Sequence, residues 1–415
     1  MARDQVPVGL CGFGLLNIRV PQPAPEASDT APLRVLHVHN SADIYGASRS
    51  LLRLLTAIDR RRFQPLVVLP ETGVLKEKLE AAGVEVLVQP GLSIITRPVF
   101  KSWRILLFML QFPVSAYRLR RLIRQRGVEL VHTNTGVVVS SALAARLAGV
   151  PHVWHIRDWF QEFGAVWPIY SRYIVGGSKK VVCVSNAIAG QFPPGEKLTV
   201  IHNGFSLDEF RVPAESLRAE FRARHGLGEG FVVGCVGRIK LVRKGQEELV
   251  RAMGMLKRRG RELRAVIVGA PFPGNEPHLE ELHRLARELD VADRIVFTGE
   301  MPDPRPAYAA MDVLAMTSAQ PEPFGGVVME AMSMGVPVIA TNIGGSLDQV
   351  AEGETGLFVP PADAKALAAA IEQLMDDAPL RSRMGRAAVR RIETKFSLSE
   401  MVRRLEDLFT NAARR

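Results

Sequence analysis

A chain of 415 residues is too long for one hydrophobic core, so two domains are expected. Its 47% apolar and 23% charged content excludes a disordered or fibrous chain and describes a globular one. The formal charge of +10 is concentrated: residues 97–126 carry eight Lys or Arg and no acid, which leaves +2 for the rest.

In chain order, residues 1–31 join an apolar patch, "GLCGFGLLNI", to "PQPAPEASDTAP", and read as a flexible N-terminal extension. The patch lacks a basic cluster and a small-residue cleavage site, which argues against a secretion signal. Cys11, Cys183 and Cys235 are too widely spaced for a disulfide framework or a metal knuckle and favour the cytosol.

Residues 32–212 form the first expected unit. "LRVLHVHN" is a strand, "ASRSLLRLLTAI" a helix, and "QPLVVLP", "VEVLVQ", "VELVHTN", "HVWHIRD", "KVVCVSN" and "KLTVIHN" are further strands. Within this unit, residues 97–126 set cations beside Phe100, Trp103, Leu106, Leu107 and Leu110. The apolar run 105–117, interrupted by Gln111 and Pro113, is shorter than the ~20 residues a spanning helix needs. Such a segment suits an anionic membrane surface, with a solvated helical face as the plainer alternative. No nucleic-acid-binding motif accompanies the charge.

A polar stretch beginning near residue 212 leads into the second unit, 213–395. Its strands are "FVVGCVGR", "RAVIVGA", "RIVFTGE", "DVLAMTS", "VPVIAT" and "GLFVPP". Short apolar strands alternating with helices give parallel sheets covered on both faces. Two doubly wound units would enclose a cleft lined by strand carboxyl ends. Residues 396–415 form a final amphipathic helix, opened by a possible capping box of Ser397 and Glu400.

The chemistry concentrates in "QPEPFGGVVMEAMSMGVPVIAT", residues 320–341. Glu322 stands before the expected helix and Glu330 in its early turns, with Phe324, Gly325, Gly326 and Val327 between them. The N–H groups near Gly325, Gly326 and Val327 can face a diphosphate. Ionised carboxylates only accept hydrogen bonds, and neighbouring hydroxyls of a sugar or ribose supply the donors. Arg238 and Lys244, after "FVVGCVG", can neutralise a departing diphosphate, with Lys240 and Arg243 as competitors. In the first unit, Gly46 occupies a strand-to-helix turn, and His155 falls near a strand end on the expected cleft rim.

Together, "EPFGGVVMEAMSMGVPVIAT", "VGRIKLVRKGQ", "VIHNGFSLDEF" and "VWHIRD" resemble the retaining glycosyltransferases of family four. That resemblance implies the α/β GT-B fold, two Rossmann-like domains facing across a cleft. It implies that Arg238 and Lys244 bind the donor diphosphate, Glu322 contacts the transferred sugar and Glu330 holds the ribose. Phe324, Gly325 and Gly326 would offer backbone contacts, His155 would touch the sugar near the reacting carbon, and Gly46 would lie near diphosphate and acceptor. Departures from the family pattern are Tyr45-Gly46 in place of a double glycine, Asp348 in "IGGSLDQV" where glutamate is usual, and "NGFSLDEF".

No Asp-x-Asp motif or His/Cys cluster is present, in keeping with the metal-independent scheme the resemblance implies. No cofactor is expected beyond the nucleotide-diphosphate sugar, which is the donor substrate. The expected acceptor is lipid-linked or polysaccharide, met at the inner face of the membrane by a cytoplasmic, peripherally bound enzyme. A sugar-nucleotide epimerase or phosphorylase and a non-catalytic membrane-associated subunit are the competing readings.

Overall fold

The computed structural model describes residues 31–95 and 104–414. The expected extension thus lies almost wholly outside the described residues, as do Phe100 and Trp103.

Two parallel sheets carry the molecule. The first contains β1 (Leu33–Val38), β2 (Phe63–Leu69), β3 (Glu85–Val88), β4 (Leu130–Thr133), β5 (His152–Ile156), β6 (Lys180–Cys183) and β7 (Leu198–Val200). Its order is β3-β2-β1-β4-β5-β6-β7. The second contains β8 (Phe231–Val236), β9 (Leu263–Val268), β10 (Ile295–Gly299), β11 (Val313–Met316), β12 (Val338–Thr341) and β13 (Gly356–Val359), in the order β10-β9-β8-β11-β12-β13. Each strand expected from the sequence is present. Val, Ile and Leu fill them because helices cover both faces, so alternation with polar residues is lost. Chain direction across each sheet reverses at β1/β4 and at β8/β11, and crevices open at the carboxyl ends of those strands.

The final helix, Leu398–Ala413, returns to the first sheet. Its Leu398, Met401, Leu405 and Phe409 join the core formed by Val35, Leu51, Leu54 and Val67. Ser397 caps it by accepting from the Glu400 N–H at 3.3 Å, but the Glu400 carboxylate turns to Arg403, so the capping box is only half made. The outgoing and returning crossings lie side by side. Phe205 N–H donates to Phe396 O at 2.8 Å, and Leu398 N–H donates to Phe205 O at 2.9 Å. Gly204 permits this approach, since a Cβ there would stand 2.7 Å from Leu398 Cα.

The described part of the basic segment is mostly one helix, Arg104–Gln125, which continues through Pro113. Leu119 and Ile123 bury its second half, while Leu106, Met109 and Leu110 on its first half are 62%, 65% and 69% exposed. Several of its cations have protein partners: Arg126 pairs with Glu85, and Arg120 and Arg124 both donate to Leu147 O. Among the described residues no helix is long and apolar enough to cross a membrane.

Candidate active site at the facing strand ends

The second sheet contributes a charged surface held by glycine turns. After β8 the chain passes Gly237 (φ +145°), Arg238 and Lys244 and reaches Gly245 (φ +65°). A Cβ on Gly245 would collide with the Thr317 carbonyl, so only glycine lets this turn press against the end of β11. Thr317 Oγ1 donates to Lys244 O at 3.1 Å and fixes the turn. Lys244 Nζ then reaches Glu322 Oε1 at 2.7 Å, and Ser318 Oγ donates to the same oxygen at 3.3 Å. The Glu322 loop is clasped from behind. Gly345 N–H donates to Glu322 O at 2.8 Å, and a side chain on Gly344 or Gly345 would strike residues 321–324.

Glu330 lies in the helix Gly326–Ser333, with its side chain nearly buried. Its Oε2 accepts from the Tyr308 hydroxyl at 2.9 Å, and its Oε1 accepts from Arg49 of the first domain at 3.2 Å. Burial and the Glu330 charge hold the Tyr308 hydroxyl well above its usual pKa, so Tyr308 stays a donor. The expected row of free N–H groups is shorter than the sequence suggested. Gly325 N–H donates to Gln349 Oε1 at 3.3 Å, while Gly326 and Val327 N–H have no acceptor among the described residues. Phe324 is buried against His202, with ring centroids 5.6 Å apart.

Arg238 is gripped between two aromatic faces. Its guanidinium lies 4.3 Å from the ring centre of Tyr45, in the first domain, and 5.0 Å from that of Phe272. Of the four candidate cations, Lys244 pairs with a candidate carboxylate and Arg238 meets the opposite domain; Lys240 and Arg243 make neither contact.

The first sheet contributes a buried polar layer. Gly46 opens the helix Gly46–Ala57, and a Cβ there would meet nothing within 4 Å, so it borders open space. His155 is fully buried, not on the cleft rim as expected. The reason is local: β5 lies between β4 and β6, and Arg157 and His132 cover the ring. Arg157, 8% exposed, donates to His155 Nδ1 at 3.3 Å, to Asn134 Oδ1 at 3.2 Å and to Asn203 Oδ1. Since arginine only donates, His155 Nδ1 accepts, and the neutral ring carries its proton on Nε2. That N–H has no partner among the described residues. Burial, reinforced by Arg157, keeps His155 neutral.

A further contact ties the domains together. Asp348 accepts from Asn186 N–H at 2.6 Å and Asn186 Nδ2 at 2.9 Å, and lies 3.2 Å from His202 Nε2. The unusual aspartate of "IGGSLDQV" is thus an anchor between domains. The hydrogen bonds from His202 and Asn186 outweigh its partial burial and keep it ionised.

Arg49, Tyr308 and Arg157 escaped the sequence reading. Arg49 meets Glu330 across 281 positions, a pairing no local pattern encodes. Tyr308 and Arg157 resemble core and surface residues until their partners are seen. Among the described residues, no group of three or more His, Cys, Asp or Glu is arranged to hold a metal.

Two Rossmann-like sheets presenting opposed polar strand ends define the GT-B fold. Residues 218–391 match the family model of glycosyl transferases group 1, and residues 44–209 match that of glycosyltransferase family 4. The chain is 33% identical over 315 residues to the GDP-mannose-dependent alpha-(1-6)-phosphatidylinositol monomannoside mannosyltransferase of Mycobacterium tuberculosis (strain ATCC 25618 / H37Rv), covering 72% of this chain and 80% of that protein. It is 32% identical over 217 residues to the capsular polysaccharide biosynthesis glycosyltransferase CapM of Staphylococcus aureus, covering 51% of this chain and 55% of that protein. Among solved structures, Anabaena Alr3699/HepE in complex with UDP superposes with a TM-score of 0.79 at 25% identity, over 91% of this chain and 100% of that one. The chain belongs to glycosyltransferase family four.

Proposed function

We propose that this protein transfers a hexose, with retained anomeric configuration, from a nucleotide-diphosphate sugar to a lipid-linked or polysaccharide acceptor in cell-envelope glycan synthesis. The observation that carries the reading is the Lys244–Glu322 pair, 2.7 Å apart, on turns shaped by Gly245 and Gly344–Gly345. A cation meant for phosphate is held against a carboxylate meant for sugar hydroxyls, so a sugar diphosphate satisfies both at once.

In this reading Arg238 and Lys244 stabilise negative charge as the bond between the anomeric carbon and the diphosphate oxygen breaks. Glu322 accepts hydrogen bonds from the sugar, and Glu330 accepts them from the ribose. His155 is assigned to the sugar near the reacting carbon through its unpartnered Nε2–H, a contact that requires the burial of the ring to be relieved when donor binds. The acceptor oxygen bonds to that carbon on the face the diphosphate leaves, and its proton passes to the departing phosphate oxygen. The mannosyltransferase relative and the UDP-glucose complex of Alr3699/HepE make GDP-mannose and UDP-glucose the first donors to assay.

The helix Arg104–Gln125 supports peripheral docking on the inner face of the membrane. Leu106, Met109 and Leu110 would enter the headgroup boundary, and the arginines of its second half would exchange backbone acceptors such as Leu147 O for anionic lipid. Incubation with each donor and an envelope lipid or polysaccharide extract tests the reading as a whole. A glycosylated product of retained configuration is expected, undiminished by excess chelator. Epimerised donor with no product, no nucleotide binding at all, or loss of activity on chelation restored by magnesium would each count against it.

A further inference from the structure

Arg49 crosses the cleft to a residue assigned to the donor. It leaves the first turn of the helix Gly46–Ala57, and its Nε–H donates to Ile44 O at 3.1 Å, which anchors one edge of the guanidinium. The other edge reaches Glu330 Oε1 at 3.2 Å. Glu330 Oε2 accepts from the fully buried Tyr308 hydroxyl and Oε1 from Arg49, so both oxygens of a nearly buried carboxylate have partners before a ribose enters. Diol and guanidinium therefore crowd the same nearly buried carboxylate.

The released cation would not have far to go. One helical turn earlier, the Tyr45 ring lies against the Arg238 guanidinium at 4.3 Å, and Gly46 between them borders open space. Arg49, Arg238 and Lys244 thus surround the cleft with three positive charges against the two negative charges of Glu322 and Glu330. A bound diphosphate adds at least two negative charges, and the third cation offsets part of that excess. The Arg49 side chain is about one-third exposed, so its tip borders solvent.

We propose that Arg49 is a donor-binding residue supplied by the acceptor-side domain. It holds Glu330 when no nucleotide is present and turns onto the nucleotide's phosphates when the ribose hydroxyls take Glu330. The exchange couples nucleotide occupancy to contact between the domains, and it rests on the reading of Glu330 as the ribose acceptor.

The test is calorimetry of GDP against guanosine and of UDP against uridine, on the full chain and its Arg49→Gln, Arg49→Lys and Glu330→Ala variants. Arg49→Gln should weaken the diphosphate that binds on the order of 10-fold, while the matching nucleoside binds as well as before or better. Arg49→Lys should recover part of the loss, which separates charge from folding. Equal tightening of nucleoside and diphosphate in Arg49→Gln would make Arg49 a mere obstruction and overturn the proposal. So would no change in either ligand. Glu330→Ala should weaken the nucleoside. If it does not, the ribose reading falls, and with it the exchange, even where Arg49→Gln still selectively weakens the diphosphate.

Discussion

The two strand ends that face each other across the cleft are built on opposite plans. At the end of the second sheet, Lys244, Glu322 and Arg238 stand on glycine turns, partly open to solvent and paired with groups of opposite or complementary charge. At the end of the first, His155, Arg157 and Asn134 are buried, and the Arg157 charge rests on neutral acceptors. One side presents charge that a ligand can reorganise, while the other fixes donors in place by burial. The contrast suits transfer between a charged donor and a hydroxyl acceptor. A diphosphate needs counter-charges that can change partners, whereas a neutral hydroxyl needs pre-set hydrogen bonds.

Acid should separate the two sides most sharply. His37, His39 and His152 are fully buried in the first domain, and desolvation lowers each from 6.5 to about 3. These groups bind a proton in the unfolded chain below pH 6.5 but stay neutral in the folded one until about pH 3. Their contribution is therefore complete above 6.5 and lost progressively as pH falls toward 3, at about 1.4 kcal/mol per histidine per pH unit. All four tryptophans, Trp103, Trp154, Trp159 and Trp167, lie in this domain, so their fluorescence follows it alone. The urea midpoint by fluorescence should drop steeply between pH 6.5 and 5, and His152→Gln should flatten the slope. A midpoint constant over that range would mean the histidines are not held neutral.

On the opposite side, Arg238→Ala or Lys244→Ala should lower turnover on the order of 10²-fold or more, with little change in melting. Near-normal turnover in both would leave the exposed charges without a chemical role. The smallest effect is expected on the outer helix of the first domain. Replacing Arg118, Arg120, Arg121 and Arg124 by glutamine should weaken cosedimentation with anionic vesicles at least ~10-fold, at roughly 1 kcal/mol for each cation engaged. Equal binding by wild type and variant, or none by either, would remove the membrane from the first domain's role.

The same contrast governs what could be read from the sequence. Both sheets were legible because each strand is a short apolar run between helical stretches, as "LRVLHV" and "FVVGCV" illustrate. The Glu322–Glu330 surface was legible because sharp turns demand glycine and charges at fixed spacing. The first domain's share was not. His155 and Arg157 occupy alternate positions of a buried strand and its extension, and their burial depends on neighbours far along the chain. Gln349 took the Gly325 N–H from 24 positions away, and Arg49 found Glu330 only once both domains were in place. The helix Arg104–Gln125 runs through Pro113, which interrupts its apolar run but not the helix itself. Proline removes one internal hydrogen bond, and the burial of Leu119 and Ile123 beyond it keeps the remaining turns in register.

The returning helix has a consequence for biosynthesis. Phe409 packs on His37 and His132, with ring centroids 5.9 and 5.1 Å away, so one wall of the first core is supplied by residues translated after both sheets. While the second sheet is still emerging from the ribosome, the first waits with that wall bare. Its completion thus waits for both sheets to be made, and the nascent chain exposes Leu51, Leu54 and Val67 to chaperones until this helix arrives. A deletion of residues 398–413 would accordingly injure the domain farthest from it in the gene.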